Sequence, residues 1–150
     1  MSEVTLESQL IDIIKDEDMA ENIKVAKVDM LIRLGVDVHQ KNDYDQTALM
    51  WASENSYKEI VELLIQKGAD VNQKNESGMT ALMWASRDGY TDVVEVLIQN
   101  GAEVNQKDED GETALMIAKD EKTKKAIIEA VKKRNEKTGE NVIVQGIERE

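Results

Sequence analysis

The sequence predicts an all-α fold, a solenoid of stacked helix-turn-helix units with extended loop tips, and three observations predict it. The segment Thr47-Ala-Leu-Met-Trp-Ala52 returns as Thr80-Ala-Leu-Met-Trp-Ala85 and, more loosely, as Thr113-Ala-Leu-Met-Ile-Ala118, each time after 33 residues. At the same shift Leu31-Ile32, Leu64-Ile65 and Leu97-Ile98 come into register, as do Gly35, Gly68 and Gly101, then Val38, Val71 and Val104. Within a unit, apolar residues recur at helical spacing and stop at a glycine. One such unit is too small to enclose its own apolar face, so neighbouring units must stack and share a core.

The first element of a unit is a short helix. Thr80 caps it, Ala81, Leu82 and Ala85 form its apolar side, and Gly89 supplies the turn because glycine accepts positive φ without steric cost. A second helix runs from Thr91 to Gln99, where Val93, Val94, Val96, Leu97 and Ile98 cover a broad face and Asp92 and Glu95 point away. Gly101 stands where a left-handed terminator belongs. From Ala102 to Gly111 helical periodicity is lost, and one apolar Val104 is followed by turn-forming residues, which reads as an extended loop with a tight tip.

The ends are more degenerate and more charged. Leu6, Leu10 and Ile14 make an amphipathic helix over Thr5 to Lys15, followed by a second helix from Met19 to Leu34. At the other end Glu121 to Arg134 sets Ala126, Ile127, Ala130 and Val131 on one face, with Lys122, Lys124, Lys125, Lys132 and Lys133 outward. We therefore expect a single domain over residues 1–134: an N-terminal cap repeat 1–45, repeats 46–78 and 79–111, and a C-terminal cap 112–134. These ends and Met1 suit a complete small protein. Residues 135–150 form a tail whose apolar patch, Val142 to Ile147, either packs back on the last helix, is a free segment, or adds to a partner's sheet edge.

The run Gly89-Tyr-Thr-Asp-Val-Val-Glu-Val-Leu-Ile98, then Gly101-Ala-Glu-Val-Asn105, Asp110-Gly111 and Thr113-Ala-Leu115, resembles the ankyrin repeat over residues 22–131. The usual first-helix motif is Thr-Pro-Leu-His-x-Ala. This chain has Ala48, Ala81 and Ala114 in place of Pro, and Met50, Met83 and Met116 in place of His, so an apolar filling replaces the hydrogen bond His makes to the loop. The resemblance implies a protein-protein interaction module that binds through loop tips and the exposed side of the first helices, lining a concave face. Of the residues so placed, Tyr44, Trp51, Glu54, Met79, Trp84, Arg87, Glu112 and Ile117 are the partner-binding candidates.

Trp51 and Trp84, both tryptophans of the chain, share one repeat position. Two readings are open: they are binding anchors, since tryptophan dominates many interfaces, or they are inter-repeat core beside the small Ala52 and Ala85. The tip acids Asp43, Asp45, Asp108, Glu109 and Asp110 are either a rim for Lys and Arg of a partner or solvated turn residues. Asp45 stands where Gly78 and Gly111 stand in the later tips, which predicts a stiffer or distorted first tip.

Composition narrows the chemistry. Without cysteine, and with His39 as the one histidine, there is no thiolate, no imidazole cluster for zinc and no nucleophile-histidine pair; His39 reads as structural or solvated. The Asp108 to Gly111 stretch lacks the spacing of a calcium loop. No catalytic, metal or cofactor role is therefore assigned. The net charge of −12 opposes binding to nucleic acid or an anionic membrane. Residues 1–118 carry 10 Lys and Arg against 24 Asp and Glu, net −14, whereas residues 119–150 carry 9 against 7, net +2. The acidic repeat body would steer a basic partner. The reading is a cytoplasmic, monomeric interaction module, an adaptor or inhibitor with another protein of basic surface as partner; the alternative is a self-associating structural protein.

Overall fold

The computed structural model describes residues 6–147; the side chain of Leu6, expected on the N-terminal face, lies outside what is described, as do residues 1–5 and 148–150. Its helices pair as α1 (Leu6–Lys15) with α2 (Glu21–Arg33), α3 (Ala48–Glu54) with α4 (Lys58–Gln66), and α5 (Ala81–Asp88) with α6 (Thr91–Gln99), while the short α7 (Ala114–Ile117) packs on α5 and α8 (Glu121–Thr138) on α6. The first helices α1, α3, α5 and α7 pack side by side in one row, and α2, α4, α6 and α8 in a second. Among the described residues there is no strand, only an isolated antiparallel bridge between Lys41 and Thr47, and no helix is long and apolar enough to cross a membrane.

The period is what builds the core. Leu49, Leu82 and Leu115 are buried one unit apart, as are Leu31, Leu64 and Leu97, and Val38, Val71 and Val104 at the loop bases. Each first helix starts the same way: the hydroxyls of Thr47, Thr80 and Thr113 accept from the N–H of Met50, Met83 and Met116 at 3.3, 3.3 and 3.4 Å, satisfying one of the donors a helix start leaves open. Met50 and Met83 are buried and fill the core as expected, but Met116 is 54% exposed. Among the described residues no further unit covers it.

The last unit also departs in its helices. α7 stops after four residues because Ala118 is extended, and Asp120 already caps α8 by accepting from Thr123 N–H at 2.8 Å and Thr123 Oγ1 at 2.7 Å. α8 is 18 residues long against 9 in α6 and runs to Thr138, beyond the end expected at residue 134; Gly139 terminates it at φ 76°. The tail then turns back and packs, with Val144 buried.

Two asparagines one period apart explain how it is held. Asn72 donates from Nδ2 to Gly101 O and accepts from Glu103 N–H, tying the second repeat to the third. Asn105 does the same to the tail, donating to Ile143 O at 2.8 Å and accepting from Gln145 N–H at 2.9 Å. Asn135 adds a second pair of bonds to Val142. The tail thus takes the place that the next loop base occupies elsewhere.

At the N-terminal end Lys24 stands one period before Tyr57 and is 1% exposed. Its ammonium donates to Ile14 O at 3.0 Å, at the carbonyl end of α1, and to the Tyr57 hydroxyl at 2.9 Å. A helix C-terminus carries partial negative charge, which offsets part of the cost of burying a cation.

Candidate functional site

The loop tips are built by one device used three times. The side-chain oxygens of Asn42, Asn75 and Asp108 each accept two backbone N–H groups, from the residues two and four positions on. Each tip needs one residue in the left-handed region, filled by Asp45 (φ 58°), Gly78 (φ 75°) and Gly111 (φ 77°). The first tip is therefore not distorted: Asp45 donates its N–H to Asn42 O at 3.0 Å as Gly78 does to Asn75 O, because a short polar side chain tolerates this conformation.

Neighbouring tips are joined main chain to main chain, Glu76 N–H to Tyr44 O and Glu109 N–H to Ser77 O, both at 3.1 Å. They approach so closely that a Cβ at position 78 would lie 3.0 Å from Glu109 N and 3.1 Å from Asp108 Cα. Glycine is required there by contact as well as by φ. The consequence is a fixed row of tips standing beside the first helices.

Between the second and third tips and the helices α5 and α7 lies an open groove of about 460 Å³. Trp84, Met79 and Ile117 supply its apolar surface, Asp108, Glu109, Asp110 and Glu112 one carboxylate-rich side, and Arg87 a cation. Met79 is buried and can present only a small area, whereas Trp84 and Ile117 are half-buried and Arg87, Glu109 and Asp110 exposed. Asp108 has a second duty in the turn, so its carboxylate is already oriented. The groove has aromatic, apolar, cationic and anionic parts.

Five of the eight candidate residues, Met79, Trp84, Arg87, Glu112 and Ile117, meet in this groove. Tyr44 of the cap repeat and Trp51 and Glu54 of the repeat that follows do not line it. Tyr44 is exposed on the first tip. Trp51 lies under the ammonium of Lys15, 4.5 Å from the ring centroid, while Trp84 has the Arg87 guanidinium at 5.6 Å. Both tryptophans are half-buried against the core, and their Nε1 atoms are buried without an acceptor among the described residues. Each ring packs on the core, as the inter-repeat reading expects, and Trp84 also lines the groove. Lys15 was invisible to the periodic argument because its counterpart one repeat on is Ala48.

Burial pushes the Glu54 carboxyl above its usual 4.5, and nearby Asp88 pushes it further, against the opposing pull of Arg87 and Lys15. The tip acids Asp108, Glu109 and Asp110, weighed from sequence between rim and solvated turn, stand on the groove wall.

A family model for ankyrin repeats, in three copies, matches residues 18–108, more than half of the chain. No curated protein matches it.

Proposed function

On the premise that the chain belongs to the ankyrin-repeat family, whose repeats generally mediate protein-protein interaction, we propose that it binds a basic segment of another protein in the groove between the second and third tips, as an adaptor or inhibitor. The observation that carries this reading is Trp84 facing a groove walled by Asp108, Glu109, Asp110 and Glu112. Covering the Trp84 ring supplies affinity through apolar burial, and the carboxylates select Lys or Arg and speed encounter. Because the tips are bonded to one another before any partner arrives, little ordering entropy is lost on binding.

The test is affinity capture from lysate of the source organism with four baits: the intact chain, Trp51→Ala, Trp84→Ala, and the exposed-rim variant Glu109→Lys with Asp110→Lys. A partner held by the intact chain and Trp51→Ala is expected to lose about 2 kcal/mol of binding with Trp84→Ala, roughly thirtyfold. The rim variant, which leaves the core untouched, should also lose it, and added salt should elute it. A partner bound equally by Trp84→Ala and by the rim variant would remove the groove from the interaction.

A further inference from the structure

In a periodic stack, residues one repeat apart occupy equivalent places, so contacts inside the protein show which way each helix face points. Lys67, at the C-cap of α4, reaches Asp29 of α2 at 3.5 Å, so position 67 looks towards the preceding unit. Its counterpart in the first unit is Leu34, the C-cap of α2, and Met30 and Ile23 of α2 lie four and eleven residues before it on the same stripe. These side chains are 47% (Ile23), 53% (Met30) and 67% (Leu34) exposed. The front end of the stack therefore presents an apolar stripe with no unit before it among the described residues.

The rear end has the matching feature. Lys133 of α8 reaches Glu95 of α6 at 3.5 Å, so position 95 looks towards the following unit, and its counterpart in α8 is Ile128. Ile128, Leu115, Met116 and Ile147 line a groove of about 780 Å³ together with Lys124, Lys125 and one acid, Glu121. Charge agrees with shape. Residues 1–34 hold 4 Lys and Arg against 8 Asp and Glu, net −4, and residues 119–138 hold 8 against 4, net +4.

We propose that copies of this chain associate head to tail, the α2 stripe of one copy seated in the rear groove of the next, so that the second row of helices continues across the contact. The two surfaces differ, so the contact is heterologous and leaves one end of each pair free to add another copy. Opposite charges orient the approach, and apolar burial holds it. This reading departs from the monomer expected from sequence and follows the self-associating alternative. It is independent of the tip groove, since it needs no partner protein and neither Trp84 nor the tip acids take part.

Sedimentation velocity over a concentration series at low salt tests it with two variants altered only at exposed side chains. The front variant carries Met30→Lys and Leu34→Lys, and the rear variant Met116→Glu and Ile147→Glu; circular dichroism and urea midpoints matching the intact chain verify their folds. The intact chain is expected to grow in mass with concentration beyond two chains. Each variant alone should stay a single chain, its self-association weakened at least about tenfold, whereas an equal mixture should form a two-chain particle and nothing larger, because each supplies one working end. An intact chain that stays single at the highest concentration overturns the proposal. So does a variant that dimerises by itself, or a mixture that does not.

Discussion

At the scale of single residues, the chain repeatedly places a side chain where its chemistry is half opposed by its surroundings. Glu54 is the clearest case. Its carboxyl is raised above 4.5 by burial first and by Asp88 second. A carboxyl whose folded value is raised contributes stability that is fully present below the unfolded value and is lost as pH rises through the folded one. At neutral pH the ionised group is therefore unfavourable. Glu54→Gln, uncharged throughout, is expected to raise the urea midpoint at pH 7 and to lose that advantage below pH 4.5; a gain of equal size at both pH values would show that charge is not its cause. Asp120 works in the opposite sense. Thr123 bonds hold its carboxyl below 3.8, so its capping contribution is present above that value and disappears as pH falls. Both tryptophans could be found from their repeat position, but what distinguishes them is Lys15 over one and the tip groove beside the other.

At the scale of elements, the paired asparagines Asn72 and Asn105 show how a repeat hands over to its neighbour. Both use the two ends of one amide to hold a passing backbone, and the tail is gripped 38 and 40 residues after Asn105 where the next repeat is gripped 29 and 31 residues after Asn72. The nine-residue delay accompanies the longer α8. Asn105→Ala removes two bonds, each contributing about 1 kcal/mol. Hydrogen exchange is expected to show residues 141–147 losing protection while α4, α5 and α6 keep theirs. A uniform loss across the protein would mean that the tail is part of one cooperative core and not a separately held segment. The sequence offers Asn105 as a period-mate of Asn72, yet nothing in it says that the backbone to be held lies beyond a longer helix.

For the whole molecule the governing quantity is charge distributed along a stack. Residues 1–118 carry net −14, and in a folded repeat body these like charges are closer together than in the unfolded chain, so they oppose folding. Raising sodium chloride from about 0.01 M to about 0.15 M shortens the screening length from about 30 Å to about 8 Å. The melting temperature of the intact chain is expected to rise over that range. A melting temperature that falls with salt would show that attractive pairs, such as Lys67 with Asp29 and Lys133 with Glu95, outweigh the repulsion.

Repeat period, helix pairs, capping threonines and tip glycines were all determined by the sequence alone, because each follows from local rules: apolar spacing, a hydroxyl before a helix, and a backbone angle that few residues accept. Periodicity also brought five of the eight candidate residues to one groove, since equal positions in a stack become neighbours. Where the pattern ends, only the tertiary structure decides. Lys15 over Trp51, the buried Lys24, the exposed Met116, the packed tail and the uncovered stripe on α2 all lie at the two ends of the stack. A repeat specifies the contact between one unit and the next, and at the two ends of the described stack that contact is met by whatever the fold brings near.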